Sequence, residues 1–166
     1  MPTDKLPENW LLAGAALAML PGANVIDCRR DAVETCWSCY KQLFAPGRVG
    51  FTYDFATLAA YWHDYDRLCR LWAERYPAQV RVQRYETSVA APEAETRALL
   101  AFCGLDFDAA CLRPHEAPRS VRSASAAQVR QPLRSDTARA HHYAELLAPL
   151  RELLGPAAAR MRGGEG

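Results

Sequence analysis

Residues 25–44 read VIDCRRDAVETCWSCYKQLF, and this stretch decides the fold of the chain. It opens with a short apolar run, as expected of a buried strand in a parallel sheet. An arginine pair that ends at Arg30 follows at the carboxyl end of that strand. Asp31, with Glu34 three residues later, is typical of a capped helix start. The stretch therefore predicts a strand, an arginine at its end and a helix that begins at Ala32.

Arg30 stands at the start of this helix, where backbone N–H groups and the helix dipole favour an anion. Ser38 lies eight residues later, about two helical turns further along. A guanidinium can donate two parallel hydrogen bonds to a phosphate, and a hydroxyl can add a third. The junction of strand and helix thus offers the groups that hold a phosphate dianion.

The spacing of Arg30, Asp31 and Ser38 resembles the 3′-phosphate-binding motif of sulfotransferases that use 3′-phosphoadenosine 5′-phosphosulfate (PAPS). The resemblance is strongest to bacterial sulfotransferases found with tetratricopeptide repeats and to tyrosylprotein sulfotransferases. Three further stretches resemble the family in the same order: TDKLP at 3–7, RYE at 84–86 and SAAQVRQP at 125–132. The resemblance implies an α/β, P-loop-NTPase-like sulfotransferase fold, in which helices flank a parallel sheet.

The resemblance also implies a function, the transfer of a sulfuryl group from PAPS to a hydroxyl or amine acceptor, which leaves adenosine 3′,5′-bisphosphate (PAP). In the family, residues matching Arg30 and Ser38 hold the 3′-phosphate, and other matching residues contact the rest of the nucleotide. The implied nucleotide contacts are Arg30, Ser38, Tyr85, Ser125, Gln128, Val129, Arg130 and Arg139.

The residues alone leave other interpretations open for two of these stretches. Tyr85 follows an alternating run and could be an aromatic residue that covers the core at a strand end. Residues 113–135 carry five arginines and no clear periodicity, which suits either a loop that closes over an anion or a solvated linker.

One part of the family pattern is missing from the 166 residues, the Arg-Ser-Gly-Thr-like phosphosulfate loop and the base that follows it. In the family this region precedes the stretch that matches residues 3–7. We therefore expect the carboxyl-terminal part of a sulfotransferase domain, without its amino-terminal strand and phosphosulfate loop, and we assign no catalytic base. The alternative function is a non-catalytic nucleotide-binding or interaction module that retains the 3′-phosphate half-site.

The expected partners are the nucleotide donor and an unknown hydroxylated acceptor. A sheet without its neighbouring strand has an unpaired edge, which we expect self-association or an upstream segment to cover. A net charge of +1, and an arginine-rich loop without interleaved aromatics, argue against nucleic acid as a partner. The apolar run at 10–20 is too short to span a membrane.

Six cysteines lie in apolar or helical stretches rather than in a compact, loop-rich disulfide scaffold. They are predicted to be reduced thiols of a cytoplasmic protein. Cys36 and Cys39 form a C-x-x-C pair, but no second pair follows at zinc spacing. Packing is therefore the favoured interpretation, and no metal site is predicted.

The remaining pattern predicts one partial sulfotransferase domain over residues 1–155 and a flexible tail over 156–166. Aromatic residues that recur every three or four positions from Phe55 predict a long helix, with this stripe in the core rather than stacked on a ligand. A last helix is predicted from about Asp136, with a kink at Pro149. The other predicted elements are a helix at 7–20, a strand at 79–85 and a helix at 92–103.

Overall fold

The protein is described by a computed structural model that covers residues 2–44, 47, 49–117, 130–132, 134 and 137–160. Residues 157–160 are described by their backbone only. The chain divides into two compact units. The first is formed by residues 1–82 together with 138–166, and the second by residues 83–137.

Helices and strands of the described residues follow one another in this order: α1 (Ala13–Met19), β1 (Val25–Arg29), α2 (Ala32–Lys41), α3 (Phe55–Arg75), β2 (Val80–Arg84), α4 (Tyr85–Ala90), α5 (Pro92–Phe102) and α6 (Ala148–Arg160). Short 3-10 helices lie between them, at Pro7–Leu11, Gly50–Tyr53, Ala109–Leu112, Pro114–Glu116 and Ala140–Tyr143.

β1 and β2 pair as a parallel sheet, and the chain crosses between them through α2 and α3. The ladder begins where the N–H of Val25 donates to the carbonyl of Gln79 at 2.7 Å. Both strands were predicted, and the class of mixed α/β protein with a parallel sheet is confirmed.

α3 is the longest helix, and its start and periodicity explain why it forms. The carboxylate of Asp54 caps its first turn by accepting the N–H of Thr57 at 2.9 Å. Leu58, Trp62 and Cys69 recur at helical spacing and are each at most 5 % exposed. The apolar stripe is therefore core, as its period predicted.

The core of the first unit lies where α2, α3 and α6 pack together. Its fully buried members include Val33 of α2 and Leu150 and Leu154 of α6. This packing fixes α2, and with it the junction between β1 and α2, against the longest helix of the chain.

The last helix differs from its prediction. The chain forms a separate 3-10 turn at Ala140–Tyr143, and α6 begins only at Ala148. Pro149 lies in the first turn of α6, where a missing N–H leaves no helix hydrogen bond unmade. The kink is instead at Gly155, whose φ of 53° and ψ of −150° lie outside the helical region, just before Pro156. Helical structure continues to Arg160, into the segment predicted as a tail.

The second unit begins at the end of β2 and contains α4 and α5. α4 was not predicted, because the alternating run was interpreted as a strand that ends at Tyr85. Tyr85 is instead the first residue of this helix. α5 begins at Pro92, as predicted, and the chain leaves it at Gly104 with a φ of 66°. Within the described residues, each helix is too short or too polar to cross a lipid bilayer.

Candidate anion-binding site

Arg29 ends β1 and is buried in a network of ion pairs. Its Nε donates to Asp27 Oδ2 at 2.6 Å and its Nη1 to Asp66 Oδ1 at 2.7 Å. Tyr65 donates its hydroxyl to the other oxygen of Asp27 at 2.6 Å, and Arg70 pairs with the other oxygen of Asp66. Burial opposes the charged form of Arg29, but Asp27, Tyr65 and Asp66 together outweigh burial and raise the Arg29 pKa. Arg29 therefore holds the strand end in place.

Arg30 follows directly and lies beside the first turn of α2. Its side chain is half-buried, and its Nη2 lies 3.4 Å from Glu34 Oε2. Asp31 is the N-cap of α2, and its carboxylate accepts the N–H of Glu34 at 3.0 Å. The predicted helix start is thus present, with a guanidinium next to it.

Ser38 is exposed on α2, four residues after Glu34. Residues four apart share one face of an α-helix, so Glu34 and Ser38 lie one above the other. Arg30 contacts this same face through Glu34. The structure therefore brings Arg30 and Ser38 to one side of the junction between β1 and α2. Their shared contact with a phosphate stays a prediction.

Glu34 was predicted only as part of the capped helix start, and its contacts with a distant segment were not predicted. Its Oε1 accepts the N–H of Ala140 at 2.7 Å, and its Oε2 accepts the N–H of Arg139 at 3.1 Å. The Glu34 side chain is only 12 % exposed. The carboxylate that Arg30 contacts thus also holds the main chain of Arg139, a second predicted site residue. One signal in the sequence could have indicated this role: Glu34 lies between the two predicted phosphate ligands. A carboxylate there would repel the phosphate unless hydrogen-bond donors of the protein paired with it.

Arg139 itself is exposed and is the N-cap of the 3-10 helix Ala140–Tyr143. The sequence predicted it within the last α-helix, and this setting is wrong. Ala140, by contrast, is 2 % exposed and belongs to the core that contains Trp37. The exposed arginine therefore stands next to a firmly packed residue.

Tyr85 and Arg130 belong to the second unit. The hydroxyl of Tyr85 donates to the carbonyl of Arg134 at 2.6 Å, and Thr137 approaches the same hydroxyl at 3.4 Å. Tyr85 is half-buried and Arg130 is exposed. Ser125, Gln128 and Val129 lie outside the described residues, so the predicted contacts of all five with the nucleotide stay predictions.

Cysteines near the junction are packing residues. Cys36 of α2 is 1 % exposed, and burial raises the pKa of its thiol to about 12. Burial also raises the pKa of Cys39, the other member of the C-x-x-C pair. All six cysteines lie in the described part of the chain and are free thiols, as predicted.

The donor set of the junction fits a phosphate monoester. It contains a half-buried guanidinium at a helix start, an exposed hydroxyl on the same helix face and a second arginine whose backbone is held nearby. The two acidic residues among them are engaged: Asp31 caps α2, and Glu34 accepts hydrogen bonds from three donors. Charge-assisted bonds from arginine to phosphate are the strong class of hydrogen bond that such a site can form.

Comparison with known proteins adds two findings. A sequence model described as the sulfotransferase family matches residues 2–109, which include β1, α2 and Tyr85. An uncharacterized protein of Aquifex aeolicus (strain VF5) is 32% identical over 154 residues. That match covers 91% of this chain and 20% of the relative, so the chain spans about a fifth of that protein's length.

Proposed function

The chain belongs to the sulfotransferase family, and from this premise we propose that it binds PAPS at the junction of β1 and α2 and serves sulfuryl transfer to a hydroxyl or amine acceptor. One observation carries the proposal. The Arg30 guanidinium lies beside the capped start of α2, and the exposed Ser38 stands on the helix face that Arg30 contacts through Glu34.

When bound, PAPS supplies an activated sulfuryl group. In the proposal, Arg30 and Ser38 hold the 3′-phosphate of the nucleotide, which takes no part in the transfer. Binding energy gathered at such a remote group can be used to orient the reacting one. Arg139, Tyr85, Arg130 and the stretch 125–129 are proposed as further contacts to the nucleotide.

The proposal extends to the fold around the site. We propose that β1 and β2 belong to a P-loop-NTPase-like sheet, in which ligands bind outside the carboxyl ends of the strands. Arg30 stands directly after the carboxyl end of β1, which suits this arrangement. The six free thiols suit the cytoplasmic location that we also propose.

A second candidate is a module that binds the nucleotide without transferring sulfate itself. It is favoured by the fact that every residue assigned here serves to hold the nucleotide, and none is assigned to the phosphosulfate group or to proton removal from an acceptor. The two candidates share the same binding site and differ in turnover.

Titration calorimetry with PAP tests the binding site. Arg30→Ala should lower the affinity for PAP at least tenfold, since a hydrogen bond to a charged group contributes about 1.5–3 kcal/mol. Adenosine 5′-monophosphate lacks the 3′-phosphate, so Arg30→Ala should leave its affinity unchanged. The matched control is Arg67→Ala, because Arg67 is an exposed arginine of α3 that pairs with Asp64. Equal affinities of wild type and Arg30→Ala for PAP would remove the assignment.

Turnover of sulfur-labelled PAPS then distinguishes the two candidates. Acceptor-dependent release of PAP that falls on Arg30→Ala supports the transferase. Tight PAP binding with no label transferred to hydroxyl or amine acceptors supports the binding module.

A further inference from the structure

We propose that Glu34 is a positioning residue of this site: it holds the main chain of Arg139 against α2, so that Arg139 and Arg30 serve one phosphate. The inference rests on the proposed function, because the phosphate is the ligand that the proposed function requires.

The geometry that supports it is a carboxylate with three donors from two distant parts of the chain. Glu34 accepts the consecutive N–H groups of Arg139 and Ala140, at 3.1 and 2.7 Å, one on each oxygen. It also lies 3.4 Å from the Arg30 guanidinium. Arg30, a predicted phosphate ligand, and Arg139, a predicted nucleotide contact 109 positions later in the sequence, are thereby tied to one side chain.

A carboxylate is the side chain suited to this task. Each of its two oxygens can accept one N–H, whereas a glutamine amide has one accepting oxygen and turns a donor toward the second N–H. The two N–H groups belong to the start of a 3-10 helix, where no intrahelical carbonyl is available for them. Glu34 thus supplies acceptors that the short helix lacks.

Neutralising Glu34 tests its role, because repulsion and positioning predict changes of opposite sign in the affinity for an anion. A negative charge beside a phosphate dianion repels it, so neutralising Glu34 by itself should tighten anion binding. If Glu34 instead positions Arg139, its neutralisation should weaken binding, because the second arginine loses its anchor. Electrostatic repulsion and positioning therefore predict opposite outcomes for the same substitution.

The experiment is a double-mutant cycle with PAP as ligand, measured by calorimetry on the full chain. We expect Glu34→Gln to weaken PAP binding by about tenfold and Arg139→Ala to weaken it similarly, as for other losses of a charge-assisted bond. In the double variant the Glu34 change should cause no further weakening, because it acts through Arg139. Glu93→Gln is the matched control, since Glu93 also pairs with an arginine four positions away in the sequence, but on α5.

Hydrogen exchange of the Arg139 and Ala140 amides adds a readout that needs no ligand. Both amides should exchange faster in Glu34→Gln than in wild type, while unchanged rates overturn the anchoring contact. If Glu34→Gln fails to fold, Glu34→Asp keeps the charge and both oxygens but shortens the reach by one methylene. Glu34→Asp should also lower the affinity for PAP.

The outcomes separate this inference from the proposed function. If wild type fails to bind PAP, the proposed function fails and this inference with it. If wild type binds, Arg30→Ala weakens binding and Glu34→Gln tightens it or adds fully to Arg139→Ala, only the positioning role is overturned.

Discussion

Two adjacent arginines at the end of β1 have opposite environments. Arg29 is 8 % exposed and enclosed by Asp27 and Asp66, whereas Arg30 is half-buried at the start of α2. Arg29, the last residue of β1, therefore faces the core, whereas Arg30, the next residue along the chain, lies at the candidate site. The buried network orients the strand end from which Arg30 departs.

Removing one member of the buried network should be costly. Asp66→Ala leaves Arg29 without one of its two carboxylates, and breaking a buried ion pair in this way costs about 3–5 kcal/mol of unfolding free energy. Asp64→Ala is the control on the same helix, because Asp64 and Arg67 form an exposed pair that contributes at most about 1 kcal/mol. Urea denaturation measures both. Equal losses for the two variants would contradict the burial argument.

The buried thiols make stability depend on alkaline pH. Burial raises the pKa of Cys36 and of Cys69 to about 12, above the value of about 8.5 for an unfolded thiol. Their contribution is fully present below about pH 8.5 and is lost as pH rises toward 12. The free energy of unfolding should therefore fall between pH 8.5 and 11.

The measurement is chemical denaturation across that range, on wild type and on a Cys36→Ala, Cys69→Ala double variant. The double variant should lose less stability per unit of pH than wild type. Cys111→Ala, at an exposed cysteine, should keep the wild-type dependence. Identical slopes in all three proteins would refute the role of the buried thiols.

At the level of single residues, the sequence predicted relations between residues that are close together in the chain. Arg30, Asp31 and Ser38 lie within nine consecutive positions, so an arginine at the helix start and a hydroxyl about two turns further along follow from spacing alone. The role of Glu34 could not be predicted in this way, because its partners lie 105 and 106 residues away. Periodicity reports which face a residue occupies, and not which distant segment returns to it.

Among the elements, α1 and α3 meet at a close contact that sequence periodicity does not reveal. A Cβ at Gly14 of α1 would lie 2.3 Å from the ring of Trp72, whose Nε1 donates to the carbonyl of Trp10 at 3.1 Å. The absence of a side chain at Gly14 thus lets the indole ring lie against α1.

Gly14→Ala should therefore destabilise the protein, although alanine favours a helix by about 1 kcal/mol over glycine. Displacing a packed ring typically costs about 1–3 kcal/mol, and the hydrogen bond of Trp72 is lost with it. Gly22→Ala is the control, because no atom lies within 4 Å of a Cβ built there. Thermal unfolding and tryptophan fluorescence would follow both. A Gly14→Ala protein more stable than wild type would contradict the contact.

Elements with a clear period were predicted best. α3 runs from Phe55 to Arg75 as its aromatic repeat indicated, and β1 and β2 follow their apolar runs. The last helix was predicted poorly because the sequence before α6 has helical composition, whereas the chain forms a 3-10 turn at Ala140–Tyr143. There, the N–H groups of Arg139 and Ala140 bond to Glu34 instead of to a preceding turn. A tertiary contact has overridden local propensity.

At the scale of the whole molecule, each strand has one strand neighbour among the described residues. Apolar side chains on both strands are exposed, Ile26 by 38 % and Val82 by 40 %. Exposed strand edges and apolar surface favour association with another chain. We propose that a second copy of the chain covers this surface.

Light scattering at increasing concentration tests self-association. The mass should rise toward twice that of one chain, and Ile26→Lys should return it to the mass of a monomer. Leu43→Lys is the matched control, since Leu43 is 85 % exposed but lies outside the sheet. A constant monomer mass over the whole range would rule out the proposal.

The span of the Glu34 contact has a consequence for biosynthesis. Translation delivers Arg30 and Glu34 first, and the amides whose hydrogen bonds Glu34 accepts emerge from the ribosome more than one hundred codons later. Contacts of such high sequence separation form late and slow the folding of a domain. A nascent chain stalled before the codon of Arg139 therefore carries both arginines of the strand end and still lacks the residues that Glu34 holds beside them.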